Sequence, residues 1–152
     1  MGELLEVACD GIGYVLHDRK LPGSKRNIDH VVVTGAGVFV VDAKNVAGVP
    51  KLADYGGSLT TDARLRLGNA DRTMWVEGVQ SLSAAVREVA GVNVVSILCF
   101  VDQSSPLYFT VRGVEVVDES TLPGIVRRQG PLTPVLVNDI AGRLASALRA
   151  AR

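Results

Sequence analysis

Two apolar segments separated by a short glycine-containing turn stand out in the first third of the chain. Val, Ile and Phe dominate Ile28–Thr34 and Val38–Lys44, and Thr34-Gly35-Ala36-Gly37 joins them. Apolar runs of this length on either side of such a turn are typical of a β-hairpin. The pattern therefore predicts two antiparallel strands with a tight connection.

The rest of the chain shows helical periodicity twice, with further strands between. Apolar residues at spacings of 4, 3, 4 and 3 predict a helix from about Asp71 to Ala90: Trp75, Val79, Leu82, Val86 and Val89. Thr133 and Pro134 predict the start of a last helix, with a buried stripe of Leu136, Ile140, Leu144 and Leu148. Helical residues are also expected at Leu4–Cys9, and strands at Tyr14–His17, Val49–Leu52, Ser58–Leu67, Val92–Val101 and Val114–Val117. This order predicts an α/β or α+β fold, with a small central mixed sheet flanked by helices.

Composition places the chain among soluble globular proteins. Its 152 residues are 47% hydrophobic and 21% charged, with 16 basic and 16 acidic side chains and no net charge. These values argue against disorder and coiled coil, and we expect one domain over residues 1–152. A net charge of zero argues against a nucleic-acid binder with a broad basic surface.

Cysteine usage and the N-terminus point to the cytoplasm. Cys9 and Cys99 lie ninety residues apart with no CxxC motif, so no structural zinc site is expected. Cys99 lies in an apolar run and is expected to be a buried thiol. The N-terminus carries Glu3 and Glu6 and no basic region, unlike a signal peptide. No apolar run reaches the ~20 residues that cross a membrane, so no membrane association is expected.

The hairpin also brings acidic side chains together. Because side chains alternate along a strand, a turn centred on Gly35-Ala36 places Asp29 directly opposite Asp42, on the face that also carries Lys44. Opposed like charges destabilise a sheet. The two carboxyl groups could share a proton or hold a divalent cation such as Mg²⁺. Alternatively, they simply end two strands in water and Lys44 forms a surface ion pair.

Several sequence blocks resemble the nuclease-related domain (NERD) family of the PD-(D/E)xK nuclease superfamily. They are His17-Asp18-Arg19-Lys20-Leu21-Pro22-Gly23-Ser24, Asn27-Ile28-Asp29-His30, Gly37-Val38-Phe39-Val40-Val41-Asp42-Ala43-Lys44-Asn45, Gly48, Asp71-Arg72-Thr73, Gly78 and Leu98-Cys99-Phe100-Val101-Asp102. The resemblance implies a restriction-endonuclease-like fold with a four-stranded mixed sheet. It implies a DNA nuclease or nickase that hydrolyses phosphodiester bonds with Mg²⁺ or Mn²⁺. Asp29 and Asp42 would bind the metal, and Lys44 would be catalytic.

Two departures from the family pattern keep a second interpretation open. Family members usually carry a glutamate in the first helix, and its expected position precedes Met1, so the first helix would be truncated. The glutamine that often follows the Asp-Arg-Thr block is expected at Leu82, whereas Gln80 lies two residues earlier, about 200° around a helix. The alternative is a catalytically inactive module that binds nucleic acid or a protein partner.

A local basic cluster precedes the candidate site. It consists of Arg19, Lys20, Lys25 and Arg26. A loop with these side chains could hold the DNA backbone, although a solvated loop explains them as well. His17, His30 and Trp75 are expected to have structural roles.

Overall fold

The structure is a computed structural model and describes residues 1–54 and 62–151. Its four helices are α1 (Gly2–Cys9), α2 (Thr73–Ala90), α3 (Leu122–Val126) and α4 (Pro134–Ala147). The strands are β1 (Gly13–Lys20), β2 (Asn27–Thr34), β3 (Gly37–Lys44), β4 (Pro50–Ala53), β5 (Arg64–Leu67), β6 (Ala70–Asp71), β7 (Val94–Phe100), β8 (Tyr108–Val111), β9 (Val114–Asp118) and β10 (Arg149–Ala150). None of the helices in these two ranges is both long and apolar enough to span a membrane.

Seven strands form the main sheet, in the order β10-β1-β2-β3-β7-β9-β8. The β3–β7 and β7–β9 pairs are parallel and the other pairs are antiparallel, so the sheet is mixed. The predicted α/β class and the central mixed sheet are thus confirmed. The sheet is wider than the four strands that the resemblance implied, because β1, β8 and β10 extend it on both sides.

Hydrophobic clusters cover both faces of the main sheet. One cluster joins alternate residues of β2 and β3, such as Val31 and Val40, to α2, α4 and the small β4-β5-β6 sheet. The other joins Val32 and Val41 to α1 and α3, and it includes Cys99, which is fully buried as expected. The two faces of the β2–β3 hairpin are therefore distinct, and each points toward a different set of helices.

The hairpin register is confirmed from the turn outward. Thr34 pairs with Gly37, Val33 with Val38, and so on to His30 with Val41. A two-residue connection determines this register because a slip by one residue would turn the apolar side chains to the wrong face.

The structure corrects two details of the predicted helices. Asp71 lies in β6, opposite Arg66, and its carboxylate accepts a hydrogen bond from the Thr73 amide at 2.9 Å, so α2 begins at Thr73. In α4, Leu136 is 42% exposed and Val137 is buried in its place. The buried stripe consequently runs through Val137, Ile140, Ala141 and Leu144, the i, i+3, i+4, i+7 spacing of one helical face.

The middle of the chain forms a second, smaller sheet, in the order β4-β5-β6. Of the strand predicted over Ser58–Leu67, Arg64–Leu67 is a strand, whereas residues 58–61 lie outside the described residues. Leu65 is fully buried, and Leu52 and Leu67 pack against the same cluster as α2. This sheet therefore lies on the same side of the main sheet as α2.

Candidate active site

Two acidic side chains meet where the β2–β3 hairpin opens. Asp29 lies near the start of β2 and Asp42 near the end of β3. The paired residues end at His30 and Val41, and a hydrogen bond joins the two carboxyl groups just beyond them. The opposition predicted from the turn is therefore present.

The backbone of β3 orients the carboxyl group of Asp29. Continued outward, the hairpin register would pair Ala43 with Ile28, but the Ala43 amide donates instead to Asp29 Oδ2 at 3.0 Å. This bond fixes the Asp29 carboxyl group in place beside Asp42.

The pKa of Asp42 is raised to about 6, mainly because burial disfavours its charged form. The hydrogen bond with Asp29 raises this pKa further, whereas the positive charge of Lys44 lowers it. A carboxyl group with such a pKa, beside a second acid, is typical of functional sites. At neutral pH the pair carries close to two negative charges at short distance, which favours binding of a cation.

Lys44 lies between this acid pair and the first turns of α2. Its Nζ is 3.1 Å from Asp42 Oδ2 and 4.9 Å from the centroid of the Trp75 ring. Trp75 is half-buried against Phe100, with ring centroids 6.1 Å apart. The ammonium group is therefore held by a carboxylate and an aromatic face together, which restricts where it can point.

A second cation shares the same aromatic ring. The guanidinium carbon of Arg72 is 5.5 Å from the Trp75 centroid, and Arg72 Nε is buried without a hydrogen-bond partner. A buried donor without a partner is costly unless water or a ligand satisfies it. Trp75 thus contributes to the core, as expected, and also positions two cations, which the helical spacing alone did not reveal.

Comparison with known proteins gives one match. A model of the nuclease-related domain family covers residues 2–101 of the 152, more than half of the chain. The chain belongs to the nuclease-related domain (NERD) family. Searches of the curated proteins and of the solved structures gave no match. The matched range contains β2, β3 and α2, and therefore Asp29, Asp42, Lys44, Arg72 and Trp75.

The first helix of this NERD chain does not supply a third acid to the pair. Glu6 Oε1 lies 2.7 Å from His17 Nε2, and His17 Nδ1 lies 2.8 Å from His30 Nδ1. His30 follows Asp29 directly and so faces the opposite side of the sheet. Burial, the neighbouring His17 and the N-terminus together lower the pKa of His30 to about 4, so it stays neutral near pH 7. The two histidines pack α1 against the sheet.

Gln80 of the NERD chain is also directed away from the acid pair. Its side-chain amide donates to the Arg112 carbonyl at 2.8 Å, so it connects α2 to the turn between β8 and β9. The structure thus places neither Glu6 nor Gln80 beside Asp29 and Asp42.

The four side chains of the basic cluster, Arg19, Lys20, Lys25 and Arg26, have different surroundings. Arg26 donates to the Gly78 carbonyl at 2.8 Å and to Ser81 Oγ at 2.9 Å, which attaches the loop after β1 to α2. Arg19 donates to the Leu148 carbonyl at 3.1 Å, and its Nε is buried without a partner. Lys25 is exposed, and Lys20 lies at the end of β1. Two of the four side chains therefore stabilise loops and termini.

The donor set fits a hard divalent cation. No group of three or more His, Cys, Asp and Glu residues arranged to hold a metal occurs within residues 1–54 and 62–151. Mg²⁺, however, is commonly bound through one or two carboxylates, with water and substrate phosphate completing its coordination. Asp29 and Asp42 supply two such groups, and a cation between them would offset the burial of the Asp42 charge, which is the main cause of its raised pKa.

Proposed function

We propose that this NERD protein is a Mg²⁺- or Mn²⁺-dependent DNA nuclease or nickase that hydrolyses phosphodiester bonds. The observation that supports this most strongly is the direct contact of Asp29 with Asp42, with Lys44 Nζ 3.1 Å from Asp42 Oδ2. Two acids and a lysine at one end of a hairpin match the donor set that phosphodiester cleavage with a hard cation requires. Their occurrence in a nuclease-related domain supports the same chemistry.

Each of the three side chains has a distinct part in this proposal. Asp29, oriented by the Ala43 amide, and Asp42 would hold the divalent cation. When bound, the cation would polarise the scissile phosphate and increase the acidity of water. A cation bound by Asp42 would compete with the Lys44–Asp42 ion pair and free the Lys44 ammonium group. This group then can orient the attacking water and stabilise negative charge on the phosphate.

Plasmid nicking tests this proposal. Supercoiled DNA incubated with the protein should be nicked in Mg²⁺ or Mn²⁺ and left intact in EDTA. Lys44→Ala should lower the rate by at least about 100-fold, the usual contribution of a positioned acid-base or charge-stabilising group. Arg87→Ala, which removes one exposed positive charge from the last turn of α2, is the matched control and should cut normally. Absence of metal-dependent nicking, or full activity of Lys44→Ala, contradicts the proposal.

A module that binds nucleic acid without cutting it is the second candidate. The observation that favours it is that Glu6 contacts His17 and Gln80 contacts the Arg112 carbonyl, so neither side chain joins Asp29 and Asp42. Calorimetric titration separates the two candidates. DNA binding without binding of Mg²⁺ or Mn²⁺ favours the inactive module, whereas binding of both favours the nuclease.

A further inference from the structure

The small sheet places two positive charges directly opposite each other. In the β4–β5 register, Lys51 pairs with Arg66, next to the Leu52–Leu65 pair. Leu65 is buried and Leu52 packs against the core, so alternation directs Lys51 and Arg66 to the outer face. Directly opposed like charges destabilise an antiparallel pair unless an anion offsets them.

Asp71 lies opposite Arg66 in the β5–β6 register, but its ion pair is made with Arg64. Arg64 forms an ion pair with Asp71, with Nη2 and Oδ2 2.6 Å apart. Arg66 instead donates to the neutral Asn69 carbonyl at 2.8 Å. No ion pair among the described residues includes Lys51 or Arg66. The exposed acids Asp54 and Asp62 lie at the opposite end of the β4–β5 pair.

A chain of contacts leads from the small sheet through α2 and Lys44 to the acid pair. The Arg72 amide donates to the Leu65 carbonyl at 2.7 Å, and Thr73 Oγ1 accepts from the Leu65 amide at 3.0 Å. These bonds attach β5 to the first turn of α2. Arg72 and Lys44 then share the Trp75 ring, with 5.5 Å and 4.9 Å to its centroid.

Arg72 adds an independent indication of a bound anion. Its Nε is buried and lacks a hydrogen-bond partner, although the side chain lies beside a charged site. A phosphate oxygen is an acceptor that guanidinium groups bind strongly. The opposed Lys51 and Arg66 on the small sheet and the unpartnered Arg72 Nε at its edge together indicate an extended anion rather than a single ion.

We propose that Lys51, Arg66 and Arg72 form a backbone-binding track that holds phosphates of duplex DNA beside Asp29 and Asp42. This proposal extends the proposed function, because the choice of DNA as the ligand rests on it. The track differs from the basic cluster at Arg19–Arg26, because it lies on the small sheet and on the first turn of α2. Such contacts determine affinity and orientation on DNA and carry no base specificity.

Fluorescence anisotropy with a labelled DNA duplex in EDTA measures binding without cleavage. The double variant Lys51→Ala/Arg66→Ala should bind at least about 10-fold more weakly than wild type near 100 mM salt. The slope of log K against log salt concentration should fall in magnitude by about 2, close to one unit for each phosphate that the variant no longer binds. Arg72→Gln should also weaken duplex binding.

A charge-matched double variant separates this track from a general charge effect. Arg87→Ala/Arg143→Ala also removes two positive charges, and both arginines are exposed near the C-terminal end of α2. Its affinity and salt slope should stay within about twofold of wild type. Thermal melts show that each variant folds. Lys51 and Arg66 lie on the outer face, so their replacement leaves the core unchanged.

The results distinguish failure of the track from failure of the nuclease proposal. Wild-type affinity and salt slope in Lys51→Ala/Arg66→Ala overturn the track, even if the protein nicks plasmid. Absence of any duplex binding by wild type also overturns it. Selective loss of binding in the track variant, in a protein that never cuts DNA, supports the track and overturns the nuclease.

Discussion

The Ala43 amide donates to the carboxylate of Asp29 at 3.0 Å, where the hairpin register would otherwise pair Ala43 with Ile28. A side chain thus takes over a hydrogen bond of the sheet. This holds the Asp29 carboxyl group directed at Asp42. The hairpin therefore positions the site through its backbone as well as through side-chain alternation.

The elevated pKa of Asp42 predicts how stability changes with pH in EDTA. Its folded-state value of about 6 exceeds the unfolded value of about 3.9. Asp42 therefore contributes stability that is fully present below pH 4 and is lost as the pH rises through 6. Asp42→Asn removes this loss and should raise the free energy of unfolding at pH 8 by on the order of 1 kcal/mol.

Urea denaturation at pH 4 and pH 8 checks this expectation. The gain in Asp42→Asn should be absent at pH 4, and Asp139→Asn, an exposed acid on α4, should show no gain at either pH. A destabilised Asp42→Asn at pH 8 in EDTA contradicts the raised pKa of Asp42.

Trp75 offers an optical probe of the site, because it is the only tryptophan of the chain. Lys44 lies over its ring and also contacts Asp42. Cation binding to Asp42 would displace this ammonium group, so saturating Mg²⁺ should change the Trp75 emission. The change should vanish in Asp42→Asn and persist in Asp139→Asn. An identical response in wild type and Asp42→Asn places the cation elsewhere.

Gln80 is predicted to stabilise the fold and to have no part in cleavage. Its replacement by Ala removes the hydrogen bond to the Arg112 carbonyl, which should cost about 1 kcal/mol. Thermal denaturation measures this loss, and nicking at a temperature well below the transition should stay within about twofold of wild type. Unchanged stability with strongly reduced nicking would assign Gln80 to the site instead.

Asp118 is predicted to anchor the segment after β9. Burial would raise its pKa, but hydrogen bonds from the Ser120 and Thr121 hydroxyls and the Leu107 amide hold that pKa well below its usual range. Its stabilisation is therefore present above the unfolded pKa, near 3.9, and is lost as the pH falls below it.

Asp118→Asn should therefore lower the free energy of unfolding by about 2 kcal/mol at pH 7. Urea denaturation at pH 7 and pH 3 measures the difference, which should shrink at pH 3. An equal loss at both pH values would indicate that packing, rather than charge, explains the effect.

The sequence predicts the hairpin and its acid pair because a short turn and strict alternation determine the register. Asp29 and Asp42 come together through eight-residue strands whose pairing is local. The strand β8 is absent from the predicted elements, although Arg112 and Gly113, both with positive φ, form the kind of turn that joins it to β9. The Arg112-Gly113 dipeptide between apolar residues is the sequence signal for the hairpin of β8 and β9.

Other parts of the site depend on contacts between residues distant in sequence. Arg26 lies 52 residues from its acceptor at Gly78, and Gln80 lies 32 residues from its acceptor at Arg112. Periodicity describes one element at a time and carries no information on such contacts. The two cations over Trp75 come from β3 and from the residue before α2, so only the tertiary structure brings them together.

The rate of plasmid nicking as a function of Mn²⁺ concentration is the sharpest test of a cation site at Asp29 and Asp42. We expect no cutting without metal, a saturable rate in wild type, and a midpoint at least about 10-fold higher for Asp42→Asn, which loses one ligand charge. Lys44→Ala should lower the plateau and leave the midpoint near the wild-type value. Metal-independent nicking, or a midpoint that Asp42→Asn leaves unchanged, would contradict a cation held by these two carboxylates.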